Sequence, residues 1–319
     1  MLQDVQIGKQ VFSTHRRSVQ SWWICVNSTN QCGGSGMTQH MDKTAIFDTL
    51  AKQAAQGELV FSTGAQVALK LRQALDDPDC YINTASRLIQ AEPLLATRVI
   101  AIANSVVYNR SGREIADVHV AVTMLGFKTI RSLAMALVTR QMAGKSKNPV
   151  QQELVNKLWE HSAHVASLAH AIARHVTHQD PEAALFAGII HEIGGFYMLS
   201  RAEEFPGLIE GDFDEWVEGG EIKVGRAVIG KLKVPASVTT VMEAFWDGFL
   251  AIPPTTLADT LLLAEELSPV PSPLHKVDSK NTDSSMRASI EMEIGEETLT
   301  RILGESDEEI GSLTKALQV

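Results

Sequence analysis

Cysteine is scarce in this chain: Cys25, Cys32 and Cys80 are the only three in 319 residues. An odd number with no Cys-x-x-Cys pair argues against a disulfide framework and for a reducing, cytoplasmic setting. Aromatic side chains make up 6% of the residues, too few for a base-stacking platform on single-stranded nucleic acid. Basic residues are outnumbered, 28 Lys and Arg against 38 Asp and Glu, for a net charge of -10, and no Lys/Arg run occurs. Nonspecific phosphate binding needs a dense positive face, so no nucleic-acid partner is expected. No stretch reaches the ~18 uninterrupted apolar residues of a membrane span. The apolar run at 22–26 falls short of the ~7–15 residues of a secretory signal. No membrane partner is expected either.

What is present reads as a globular protein, with 45% apolar and 21% charged residues. The length fits one large or two medium domains. Residues 1–40 show neither a helical nor a strand period, and the Gly/Ser-rich stretch at 27–36 has linker composition; they read as a disordered leader or extension. From Thr44 the apolar spacing is helical almost throughout. Ile46, Leu50 and Ala54 are fourfold spaced, as are Val67, Leu71 and Leu75. Asn83 is a candidate cap. Pro93 stands at a first helical position, and Asn104-Ser105 ends that helix in a left-handed turn. Asp117 caps a helix closed at Gly126, and another runs from Ile130 to Val138. A long helix is predicted over 151–177. Asp180-Pro181-Glu182 starts a helix that is apolar nearly all round and therefore central. Further helices are predicted at 214–232, 236–250 and 255–267, and no strands. Residues 268–288 read as a linker and 289–319 as an acidic helical tail, with Leu299, Ile302, Leu303, Ile310, Leu313 and Leu317 on near-helical spacing and a second helical piece starting at Asp307.

Histidines beside carboxylates are the residues that could carry chemistry. On a helical wheel of 151–177, Leu158, Val165, Leu168, Ala169, Ile172 and Val176 form the apolar arc. His161 lies inside its edge, His164 and His175 fall on the polar side, and His170 points to solvent. His191 and Glu192 stand at the end of the central helix. A buried carboxylate must be paired, hydrogen-bonded or protonated, so Glu192 needs partners, and His161 is a candidate. Two imidazoles and a carboxylate suit a transition metal; equally, they suit a polar cluster tying two core helices together. The zinc-protease pattern is absent, because no second His follows His191-Glu192 at the right spacing.

Several stretches in order resemble the HD-related output domain (HDOD) family of bacterial signalling proteins, from about 58 to 267. They are residues 89–94 (Ile-Gln-Ala-Glu-Pro-Leu) with Ala103-Asn104-Ser105, Ala121-Val122 with Leu125-Gly126, residues 158–162 (Leu-Trp-Glu-His-Ser), and residues 187–194 (Ala-Gly-Ile-Ile-His-Glu-Ile-Gly). The resemblance implies an all-α fold of two packed helical subdomains, at 41–148 and 149–267, the second like an HD domain. The parent HD family comprises metal-dependent phosphohydrolases that hold metal with a His, a His-Asp pair and a later Asp. Carried over, His161 and His191 are kept, and Glu192 stands where Asp is usual. Glu265 stands where a later Asp is common, with Asp259 as the other candidate. Near 221–225, where relatives often have His, Lys223 or a neighbour stands. Phe245-Trp246 replaces a frequent His-His. At least two ligand positions look lost, and metal-assisted hydrolysis needs a complete set with an open position.

The implied function is a non-catalytic signalling module that binds a signalling protein or a small regulatory ligand, with no cofactor. His161, His191, Glu192 and Glu265 would form a vestigial metal or polar cluster. The alternative is an HD-type phosphohydrolase with an unusual ligand set, holding a divalent metal on His161, His191 and Glu192. The remaining features read as structure. The Gly225 to Lys231 stretch lacks the Ser/Thr and the strand of a phosphate loop. Lys128, Arg131 and Arg140 form no single stripe. Trp159 and Trp246 belong to core or interface.

Overall fold

The structure, a computed structural model, describes residues 10–13, 43–57, 59, 63–205, 207–210, 213, 216–274 and 296–318. The helices are α1 (Lys43–Gln56), α2 (Thr63–Leu75), α3 (Ile82–Gln90), α4 (Pro93–Ala103), α5 (Val118–Met142), α6 (Pro149–Ile172), α7 (Pro181–Ile190), α8 (Ile193–Ser200), α9 (Glu221–Lys231), α10 (Ala236–Asp247), α11 (Leu257–Leu267) and α12 (Glu296–Gln318). The fold is all-α, with two packed helical subdomains. Helices α2 to α5 pack on one another, α6 to α11 form the second group, and α5 joins the two through α7 and α8. Helix α1 precedes the first group in sequence yet packs on α9 of the second.

Local chemistry sets the boundaries. Asp180 accepts from the backbone N–H groups of Glu182 and Ala183, and Pro181 follows at the first position of α7. Gly126, at φ 75°, breaks α5 where the sequence predicts closure; a side chain there would be strained. Asn104 differs from expectation. It ends α4 in a right-handed conformation, and its side chain donates to Ile100 and Ile115 carbonyls while accepting from the Ile115 N–H. The cap of α3 is Tyr81 rather than Asn83.

The second group departs from prediction at three places. The helix predicted at 236–250 stops at Asp247, because Gly248 takes a left-handed turn at φ 70°. Phe249–Ile252 then forms a short strand, β2, antiparallel to β1 (Gln10–Ser13). Leu250 and Ile252 are buried and Phe249 is exposed, a period of two. β1 lies inside the stretch read as a leader; the rest of 1–40 is outside the described residues. The helix predicted at 214–232 is a wide single turn at Trp216–Gly220 followed by α9. Residues 268–274, read as the start of a linker, run over the core, with Ser272 and Leu274 buried; 275–288 lie outside the described residues. The tail is one helix from 296 to 318, with no second start at Asp307. Two helical stretches, Val118–Met142 and Pro181–Glu204, have the length and hydropathy of a membrane span, but 61% and 89% of their apolar windows are buried inside the protein.

The site rests on α6 and α7. They run antiparallel, with His161 opposite His191, Ala166 opposite Gly188, and His170 opposite Glu182. A Cβ at Gly188 would sit 2.4 Å from the Ala166 Cα, so only glycine permits this approach.

Candidate metal centre

His161 projects from the middle of α6, and His191 caps the C-terminal end of α7. Glu192 follows in the break before α8, at φ -103° and ψ 21°, and its side chain does not cap that helix. The break turns both side chains off the α7 axis toward α6. Glu265 comes from the C-terminal half of α11. One ligand atom from each of these four residues lies within 4.8 Å of all the others. The two imidazole Nε2 atoms are 3.1 Å apart. Glu265 Oε2 is 3.4 Å from His161 Nε2 and 3.3 Å from His191 Nε2, and Glu192 Oε1 is 3.9 Å from His161 Nε2.

The outer ring nitrogens fix the proton inventory. His161 Nδ1 donates to the Val270 carbonyl and His191 Nδ1 to the Gly188 carbonyl, each at 2.7 Å. A carbonyl only accepts, so both Nδ1 atoms carry hydrogen, and a neutral ring would present an Nε2 lone pair. Two lone pairs facing at 3.1 Å beside two carboxylates repel unless a positive charge lies among them. A proton supplies it. Burial pushes His161 down, but the charges of Glu265 and Glu192 outweigh that and raise it to about 9. Burial pushes Glu265 up, and the two histidines outweigh it, holding the carboxyl well below its usual range.

A divalent cation also fits this donor set. Four ligands ~2.0–2.1 Å from a tetrahedral ion stand ~3.3–3.5 Å from one another. The distances of 3.1, 3.3, 3.4 and 3.9 Å bracket that edge. The outer Nδ1–H bonds to carbonyls are those that orient metal-ligating histidines. The centre is shut in: the His161, His191 and Glu192 side chains are 1%, 0% and 0% exposed and Glu265 is 18% exposed. Phe245, standing where the resemblance places histidine, lays its ring edge-on against His191 at 5.7 Å.

Of the two acidic candidates on α11, Asp259 has a different task. It accepts from the backbone N–H groups of Ala251, Thr255 and Thr256 and from the Thr256 hydroxyl, forming a capping box at the start of α11. Lys223 is half exposed and paired with Asp48; Glu221 is buried at the start of α9. Gly225 to Lys231 lies wholly within α9 and forms no loop. Lys128 pairs with Asp180, Arg131 pairs with Asp76, and Arg140 lies with Arg98 over the buried Trp159 ring.

His170 is a correction. It is 3% exposed rather than solvated, and its Nε2 lies 3.7 Å from Glu182 Oε1. A wheel assumes one covered face, but α6 is covered by α7 on one side and α12 on another, so the face that carries His170 is buried too. Glu182 also accepts from Tyr108 Oη at 2.6 Å and Thr129 Oγ1 at 2.8 Å. Burial pushes this carboxyl up, and His170 with the two hydroxyls outweighs it, leaving it below its ordinary value. Sequence reasoning took Glu182 only as part of the start signal of α7 and missed this cluster. The available signal was the string of small residues on α6, Ala163, Ala166, Ser167 and Ala171, which marks a helix packed on more than one side.

Residues 62–211 match the sequence model of the HDOD domain. Three solved structures share the fold. A provisionally assigned metal-dependent phosphohydrolase of Shewanella amazonensis SB2B is 20% identical, with a TM-score of 0.64 over 86% of this chain and 98% of its own. An HDOD domain protein of unknown function from Geobacter sulfurreducens is 22% identical, with a TM-score of 0.55 over 86% and 97%. A provisionally assigned signal transduction protein of Marinobacter aquaeolei VT8 is 16% identical, with a TM-score of 0.53 over 88% and 67%. No curated protein matches the chain.

Proposed function

This chain carries an HDOD domain, and we propose that it acts as a non-catalytic regulatory module that binds a signalling protein or a small regulatory ligand. The observation that carries this reading is the burial of the centre. Three of its four polar side chains are at most 1% exposed, and the Phe245 ring lies against His191. Hydrolysis needs an open coordination position and room for a substrate beside it. A closed four-donor cluster instead ties α6, α7 and α11 together, which supports a structural use. Low cysteine content and the net charge of -10 support a reducing, cytoplasmic setting without nucleic acid.

The donor set favours a second reading, a metal-dependent phosphohydrolase. His161, His191, Glu192 and Glu265 would hold a divalent cation, which when bound supplies a Lewis acid. The two carbonyl-bonded imidazoles would orient it, and the Phe245 ring against His191 would help exclude water.

The two readings separate in one assay. Full-length protein is given Mn²⁺ or Zn²⁺ and bis(p-nitrophenyl) phosphate. Release of nitrophenol at the buffer rate is expected. Metal-dependent turnover that vanishes in a folded His191→Ala variant would establish the hydrolase.

A further inference from the structure

A second site lies where α5, α6 and α8 meet, apart from the four residues of the His161 centre. It is a cavity of about 240 Å³, open to the surface and lined from both helical groups. A water takes up ~30 Å³ of liquid, so the space is that of about eight waters. Sites for drug-sized ligands run to ~300–1,000 Å³, so this one suits a smaller metabolite.

Its polar lining is incompletely paired. Gln151, 3% exposed, spends both ends of its amide: Nε2 donates to the Leu199 carbonyl at 2.6 Å and Oε1 accepts from Ser146 Oγ at 2.8 Å. Glu203 Oε1 stands 3.1 Å from the same hydroxyl. A hydroxyl has one hydrogen, so one of these two acceptors is short of a donor, and the shorter bond leaves the shortage with Glu203. Tyr197 is 6% exposed, and its hydroxyl makes no hydrogen bond among the described residues. A buried tyrosine hydroxyl usually has a partner. Burial and Glu204 push this phenol up and outweigh Arg201, so it stays protonated and able to donate. Lys145 and Glu203 are exposed and line the same cavity, yet neither forms an ion pair among the described residues. Arg201 is already taken: its Nη2 holds Glu204 at 2.5 Å and Gln53 Oε1 at 3.3 Å. Counted with Glu204, the lining carries two cations and two anions, both signs with no net charge.

We propose that this cavity binds a free amino acid as a zwitterion, its carboxylate taken by Lys145 and the Tyr197 hydroxyl and its ammonium by Glu203. An anion alone would face Glu203 and a cation alone Lys145; a ligand carrying both signs meets both. The carboxylate supplies the acceptor that Tyr197 lacks, and the ammonium supplies the donor that Glu203 lacks. The inference deepens the regulatory reading and rests on it, since it names the small ligand. Lys145 belongs to the connection after α5, and Tyr197 to α8, which starts directly after Glu192. The bound molecule therefore clasps the two helical groups together and grips the helix that leads away from the buried centre.

The test is calorimetric titration of the full-length protein with each of the standard amino acids at millimolar concentration. At least one should bind, and its N-acetyl and carboxamide derivatives, each lacking one charge, should bind at least ~10-fold more weakly. Lys145→Met and Glu203→Gln change exposed side chains and should each weaken the parent amino acid by a similar factor. Tyr197→Phe keeps the ring in the core and should weaken it at least ~3-fold. Binding of none of the amino acids would overturn the proposal. So would a derivative that binds as well as its parent, or affinity unchanged in folded Lys145→Met and Glu203→Gln. The hydrolysis assay contains no amino acid, so failure here leaves its outcome standing and the two claims fall separately.

Discussion

At one end of the α6/α7 pair two histidines face two carboxylates; at the other, one histidine faces one carboxylate that two hydroxyls already hold. Both junctions are buried and both tie the same antiparallel helices, so their residue types alone would suggest one role. The difference is in donated hydrogens. Tyr108 and Thr129 each give Glu182 an O–H, and that carboxylate is satisfied without an added cation. At the His161 end the Nδ1 hydrogens go outward to carbonyls, and the inward atoms are lone pairs and carboxylate oxygens. That junction requires a proton or a metal ion among its ligands; at the other, two hydroxyl hydrogens and His170 already hold the carboxylate.

The largest expected effect comes from breaking the first junction. His161→Ala leaves the buried Glu192 and the partly exposed Glu265 beside each other with one imidazole, and removing one partner of a buried pair typically costs about 3–5 kcal/mol. Urea unfolding measures it; a change below about 1 kcal/mol would mean that the cluster does not tie the helices. Glu182→Gln is expected to cost less, about 1–3 kcal/mol, because the amide keeps the shape and one acceptor while meeting Tyr108 and Thr129 with a mismatched NH₂. A larger loss than that of His161→Ala would reverse the comparison.

The pH dependence sharpens it with smaller effects. His161 is raised to about 9 in the folded protein. Its unfolded value is ~6.5, so its contribution is full below that and is lost as pH rises through about 9. Glu182 is lowered, so its contribution is present above the ordinary glutamate value of ~4.3 and is lost as pH falls below it. The stability gap between wild type and His161→Ala should therefore narrow on the alkaline side, and that between wild type and Glu182→Gln on the acid side. Gaps that narrow together would show that the two junctions titrate as one.

Much of this arrangement was legible in the residue order. The 3.6-residue period placed α6, the Asp180-Pro181 start signal placed α7, and the need of a buried Glu192 for a partner pointed to His161. The choice between Asp259 and Glu265 was also written there. Thr256 three residues before Asp259 is a capping box, which assigns that acid to the backbone and leaves Glu265 for the cluster. His170 was not legible, because a helical wheel carries no information about a second covered face. β2 escaped for a different reason: four residues between a glycine and a proline are too short to show a period. The tail was split at Asp307 because three acids imitate a helix start, whereas Gly304 is carried inside one helix that has a surface to pack on.

The central claim is that the His161 junction holds positive charge without turning over a substrate. Parallel measurement of bound Mn²⁺ or Zn²⁺ and of phosphodiester hydrolysis, on one full-length sample across a metal titration, tests it most directly. The account predicts that hydrolysis stays at the buffer rate at every metal occupancy, and that any metal taken up displaces protons from the cluster. Hydrolysis that rises in proportion to bound metal, and is lost with it in a folded Glu265→Gln variant, would contradict the account.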